Sequence, residues 1–214
     1  MMKRLLVFLA ACVLGGTVFV SNGFAQTATP DSDQLFQQYR AAEAQLSLAI
    51  SDFIAGRKTK ENENCMWPFG GGCPGQDDMF RLKNELMLRA DGGDAEAMFY
   101  TALLKVERAE QLSRSPTHRD AAKEFESAAS YYKGAGDGGA IGGYWNVALM
   151  YAKGTGVTQS NSAAVEWFYK AGTGYLSIGL REKALAALDS IKAIDKEHRL
   201  GKRLQTALTK GEPK

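Results

Sequence analysis

The chain has 214 residues, 45% of them apolar, with 26 Lys+Arg against 24 Asp+Glu; this length suffices for one domain with a sizeable core or for a run of stacked repeats. Setting aside the first 25 residues removes two basic residues and no acidic ones, so 26 − 2 = 24 stand against 24 and the remaining balance is zero. A neutral balance offers no basic field to neutralise phosphates, which argues against nucleic acid as a partner.

Residues 1–25 read as a signal peptide. Lys3 and Arg4 form a positive start, residues 5–20 are nearly all apolar, and Gly23-Phe24-Ala25 places small residues where a signal peptidase reads. Cleavage is expected after Ala25, which makes the mature chain periplasmic or secreted and 214 − 25 = 189 residues long. Two other readings stand beside it. Leu9-Ala10-Ala11-Cys12 has the look of a lipobox, and the 16 residues 5–20 approach the roughly 17 to 25 that an uncleaved anchor needs. Cleavage would leave no membrane-inserted segment.

Residues 26–76 divide into a helix and a loop. Asp31-Ser32-Asp33 reads as an N-cap cluster. Leu35, Tyr39, Ala42, Leu46, Ala49 and Phe53 then form a seam that wants a partner helix, and Gly56 ends it. The seam is short for a coiled coil; self-association through it is the alternative to a core-facing helix. With Cys12 removed, Cys65 and Cys73 remain as an even pair in an exported chain, so one disulfide is expected. Chain entropy assigns so short a ring roughly 2 to 3 kcal/mol. Pro68, Pro74 and four glycines forbid a helix over residues 65–75, leaving Trp67 and Phe69 on a pinned loop. Such aromatics serve either as a knob for docking a partner or as a plug for the end of a helical stack.

Residues 77–214 carry helical patterns throughout. Asp77 or Asp78 is expected to cap a helix through Met79, Leu82, Leu86 and Ala90, ended by Gly92-Gly93. Asp94 opens the next, to about Leu112, and a turn holding Pro116 follows. A further helix is expected over about 119–133, stopped by a glycine-rich stretch, 134–139, that reads as a tight interhelical turn. Neither a preceding strand nor a Gly-Lys-Ser/Thr accompanies those glycines, so a phosphate loop lacks its context.

The stretch 139–172 is the most specific part of the chain. Trp145, Leu149 and Met150 supply an apolar stripe, small residues mark close approach, and Gly154-Thr155-Gly156-Val157 stops the helix. Ser160 or Asn161 caps a second helix bearing Ala164, Trp167, Phe168 and Ala171 at helical spacing. The run NVALMYAKGTGV followed by EWFYKAG resembles the Sel1-like repeat, a relative of the tetratricopeptide repeat. An internal comparison supports a second copy upstream. Ala102 aligns with Ala148 at a spacing of 46, and Ala121-Ala122-x-Glu124-Phe125 with Ala163-Ala164-x-Glu166-Trp167 at 42, the difference of four being a longer turn in the first copy. That copy lacks the Gly-x-Gly-Val turn. Downstream, Phe168, Gly172, Tyr175, Gly179, Ala184 and Leu188 fit a tetratricopeptide-like pair, with a second helix over 181–195. A final helix over about 197–210 puts Leu200, Leu204 and Leu208 on one stripe, as a capping helix should.

The resemblance implies an all-α fold, a right-handed α/α superhelix of about eight helices, and a protein or peptide partner in the cell envelope. Secretion, conjugation or envelope assembly would be the setting for such an adaptor. Tyr132, Tyr144 and Tyr169 fall off the main stripes and are the candidates for the inner, partner-binding surface. Chemistry finds little support. His118 and His198 stand about 80 residues apart without ligand-type neighbours, whereas zinc takes three or four ligands. No nucleophile has a positioned base, so no enzyme activity, cofactor or metal is expected. A cell-wall hydrolase and a structural self-associating protein are the alternatives. The cysteine-rich branch of the family, linked to penicillin binding and hydrolysis, repeats a cysteine pair in each unit, and neither unit here has one.

Overall fold

The computed structural model describes residues 30–57, 73–114 and 119–210. The fold is all-α: eight helices are present among the described residues, and no strand. They are α1 (Ser32–Ile54), α2 (Gln76–Asp91), α3 (Ala95–Ser113), α4 (Arg119–Asp137), α5 (Gly142–Lys153), α6 (Asn161–Ser177), α7 (Arg181–Ile194) and α8 (Arg199–Lys210). Each helix packs on the one before and the one after, and α1 also reaches α3 as α6 reaches α8. None of these helices is long and apolar enough to cross a membrane.

Neighbour-on-neighbour packing divides the core into three overlapping clusters. The first joins α1, α2 and α3 through Leu35, Phe36, Tyr39, Leu82 and Leu86. The second joins α3, α4 and α5 through Ala102, Ala128, Tyr132, Val147 and Met150. The third spans α5 to α8 through Phe168, Leu188, Ile191, Leu204 and Leu208. Much of this interior is alanine: Ala90, Ala97, Ala102, Ala128, Ala148, Ala164, Ala171, Ala184 and Ala187 are all fully buried. Small side chains at contact positions let helix axes approach closely, so the core is built from backbone proximity as well as from large side chains.

The seam of α1 is used inside the chain. Leu35, Tyr39, Ala42 and Ala49 are buried, and Leu35, Tyr39 and Ala42 pack with the apolar faces of α2 and α3. Asp94 caps α3 through a hydrogen bond from the Ala97 amide to Oδ1 at 2.9 Å. Ser160, rather than Asn161, caps α6, accepting from the Ala163 amide. Gly154 ends α5 in the left-handed conformation, φ 71°, which costs least where no Cβ is present.

Two expectations need correction. Neither Asp77 nor Asp78 caps α2: the helix begins at Gln76, with Gly75 at the cap position, φ 80°, and no side-chain cap. The reason is crowding, because a Cβ on Gly75 would lie 2.2 Å from the Ala42 carbonyl oxygen of α1. The two aspartates occupy the first turn, where negative charge still favours the helix dipole. The second correction concerns α4, which runs through Gly134 and Gly136 to Asp137 instead of stopping near Lys133. Its glycines are spacers rather than a turn. A Cβ on Gly134 would meet the Met98 Sδ at 2.9 Å, and one on Gly136 would meet the Tyr144 ring at 2.4 Å.

Candidate functional site

The three candidate tyrosines take up three different positions. Tyr132 is buried in α4 and lines a groove of about 290 Å³ between α3, α4 and α5. Val106, Phe125, Leu149 and Met150 share the floor with it, and Glu110, Asn146 and Lys153 stand among the polar lining residues. Close approach of α5 to α4 shapes this groove. Gly143 sits so tightly on α4 that a Cβ would lie 2.2 Å from the Tyr132 carbonyl oxygen. The Tyr132 ring is held by Phe99 at a centroid separation of 5.7 Å. Burial, then the nearby carboxylates of Glu107 and Glu110, push its hydroxyl above the usual tyrosine value. It therefore stays protonated at any physiological pH and acts as a hydrogen-bond donor or acceptor, not as a base.

Tyr144 is half-buried on α5 and does not line the groove. Its ring stands 5.6 Å from that of Trp167, and the Lys170 ammonium lies over both, at 4.0 Å from Trp167 and 5.4 Å from Tyr144. The Tyr144 hydroxyl donates to Asp137 Oδ1 at 3.2 Å. Burial, with the Asp137 carboxylate adding to it, raises its pKa. Tyr169 is half-buried on α6, with the Arg203 guanidinium of α8 at 5.6 Å from its ring. Tyr144 and Trp167 thus come together, whereas Tyr132 and Tyr169 each keep separate company.

Trp67, Phe69 and Cys65 lie outside the described residues. Cys73 is buried just before α2 and takes part in a disulfide. His118 also falls outside them, and His198 serves locally, its Nδ1 accepting from the Leu200 amide at 3.2 Å. Among the described residues no three His, Cys, Asp or Glu side chains gather as metal ligands would.

The sequence pattern set Tyr132 off the core stripes, but the structure buries it, 3% exposed, in the core cluster of α3, α4 and α5 at the edge of the groove. Leu149 and Met150 were legible as an apolar stripe, but Val106, Phe125, Glu110 and Lys153 come from three helices with no shared pattern. Their one signal is the internal alignment, which sets the two helical pairs side by side. The groove can hold an apolar side chain on its floor, offers the Tyr132 hydroxyl as a polar contact, and presents opposite charges, Glu110 and Lys153. No family model matches this chain, and no curated protein and no solved structure matches it.

Proposed function

We propose that the chain is an exported protein–protein interaction adaptor of the Sel1-like, tetratricopeptide-like kind, built as a right-handed α/α solenoid and serving a cell-envelope assembly. The observation that supports this most is the α3/α4/α5 groove, an apolar floor around Tyr132 with Glu110 and Lys153 beside it. An apolar anchor of a partner segment would occupy the floor, while the charges select its flanking residues. The fully buried alanine ladder supports the repeat reading, because close, regular helix spacing is what a stack of helical pairs requires. In this reading Cys65 pairs with Cys73, and the loop holding Trp67 and Phe69 either joins the partner surface or plugs the end of the stack.

Site-specific photo-cross-linking in cells tests the groove. A photoreactive residue at Asn146, within the groove, is expected to yield a discrete adduct with an envelope protein, and one at the exposed Ala186 of α7 is not. Recovery of self-linked chains alone would replace the adaptor with a self-associating structural protein. Export is tested separately by fractionation and N-terminal sequencing, which should find a mature chain beginning at Gln26.

A further inference from the structure

A second cavity, of about 110 Å³, lies between α2, α3 and α4 and shares no lining residue with the groove. Its polar lining is Lys83 from α2, Thr101, Lys105 and Arg108 from α3, and Glu124 from α4. Three cations face one anion, so the site carries an excess of two positive charges. Glu124 is already shared: Oε2 accepts from the Lys105 ammonium at 3.3 Å, and Oε1 pairs with Arg108 Nε at 3.3 Å. That leaves donors without partners among the described residues. Lys83 makes no ion pair there, the terminal nitrogens of Arg108 are unused, and the Thr101 hydroxyl is buried with no hydrogen-bond partner at all.

The Thr101 hydroxyl is the telling group. Thr101 is 1% exposed, and a buried hydroxyl left unpaired is costly, so natural interiors rarely keep one without a ligand or water to satisfy it. Thr101 is one of the lining residues of a cavity whose other polar groups are mostly cationic donors. A single water needs only about 10 to 15 Å³ by this kind of measure, so the space admits a group of several heavy atoms. The Arg108 side chain is 57% exposed and marks the mouth.

We infer that this cavity binds a phosphate group, held by Lys83, Arg108 and the Thr101 hydroxyl. The excess of two positive charges matches a phosphate, which carries about two negative charges near neutral pH. Donors arriving from two helices suit a tetrahedral oxyanion with acceptor oxygens in several directions, better than a planar carboxylate. The open mouth at Arg108 allows the phosphate to be either free or the head of a larger monoester. Charge-assisted hydrogen bonds of this kind are short and strong, so the site would hold its ligand without help from the apolar groove.

The test is isothermal titration calorimetry on the full mature protein with inorganic phosphate, glycerol phosphate and acetate. Saturable one-site binding of phosphate is expected, weakened roughly tenfold by Lys83→Gln and by Thr101→Val and abolished by Lys83→Gln with Arg108→Gln. Thermal melting of each variant confirms that it is folded. Glycerol phosphate binding at least as well as phosphate supports the site and identifies a head group as the ligand; phosphate binding alone supports it as a free-anion site. Absence of saturable binding, equal binding by acetate, or binding unchanged in the double variant overturns the inference.

Discussion

The two ends of the molecule are held together by different forces. At the N-terminal end, α1 is tied to α2 and α3 by polar contacts far apart in sequence. The Ser32 hydroxyl donates to Asp94 Oδ2 at 2.8 Å, Tyr100 donates to Asp33, Arg89 donates to the Pro30 carbonyl at 2.6 Å, and Arg40 pairs with Glu107. Phe36 stacks on Tyr100 beneath them, with ring centroids 4.2 Å apart. From α5 to α8 the joint is almost wholly apolar: Phe168, Leu188, Ile191, Leu204 and Leu208 fill the space between fully buried alanines. Among the described residues the cross-helix polar contacts there include Arg181 to the Leu208 carbonyl at 2.7 Å and three cations over rings, Lys170 over Tyr144, Lys183 over Tyr175 and Arg203 over Tyr169. The lesson is that one all-α fold uses directional clasps where α1 must be fixed and close packing where neighbours already enclose a helix. The clasped end should respond to pH and salt, and the packed end to volume.

The largest effect is expected from volume. Leu204 is fully buried among α6, α7 and α8, and Leu204→Ala removes side-chain contacts and leaves a cavity, costing about 2 to 5 kcal/mol. Urea denaturation should show that loss. Hydrogen exchange should place it first in α6 to α8, with α1 to α3 less affected, because α8 packs only on α6 and α7 among the principal helix contacts. Equal acceleration along the whole chain would mean that the two ends form a single cooperative unit.

Next in size is the clasp at Asp94. Burial alone would raise its carboxyl pKa, but the amides of Ala97 and Glu96, the Ser32 hydroxyl and Arg89 outweigh burial and hold it below the ordinary value of 3.8. A carboxylate with a depressed folded pKa adds stability above its unfolded pKa, and that contribution is lost as pH falls through the folded value. The N-terminal end should therefore loosen in acid below about pH 4 while the packed end holds. Asp94→Ala should remove this pH dependence, along with about 1 kcal/mol for the lost cap. Amide exchange in α1 to α3, followed from pH 6 downward, checks both.

What the sequence disclosed follows the same division between local and distant causes. The eight helices, the Asp94 and Ser160 caps and the Gly154 stop were legible because each depends on neighbours within a turn or two. The α2 cap was misread because Gly75 answers to the Ala42 carbonyl, 33 residues earlier. The end of α4 was misread because the penalty for helical glycine is local, while the room those glycines give Met98 and Tyr144 is not. Tyr132 was misplaced by its register, which set it off the apolar stripes, because the cluster that buries it and the groove beside it arise only when α3 and α5 are set against α4. The polar clasps left no trace, since the sequence assigns Ser32 and Asp33 to a local N-cap cluster and gives no sign of their partners Asp94 and Tyr100, more than 60 residues away.

Salt sharpens the comparison at a smaller scale. Arg40 is about one-third exposed and bridges Glu43 on its own helix and Glu107 on α3. Partly exposed pairs contribute little, so Arg40→Ala should cost about 0.5 to 1 kcal/mol, and the difference from the parent chain should shrink as salt is added. Leu204→Ala should show no such dependence. A salt-insensitive Arg40→Ala penalty would mean that the cation's position over the Phe36 ring, 5.0 Å from its centroid, outweighs the ion pair.

The smallest effect has the opposite sign. Thr101→Val keeps the shape of a residue that is 1% exposed and deletes a hydroxyl with no hydrogen-bond partner. Threonine and valine have similar helix propensity, so the backbone is indifferent to the change. Relieving the unpaired group should therefore raise ligand-free stability, by up to about 1 kcal/mol. Phosphate reverses the ranking: it should raise the melting temperature of the parent chain more than that of the variant, because a ligand stabilises the folded state in proportion to its affinity. A variant that is less stable than the parent in phosphate-free buffer would show that the hydroxyl is satisfied in solution, by water or by a contact within the cavity. The difference between parent and variant thus measures, at one position, how far the clasped end of the molecule is built for a ligand rather than for its own stability.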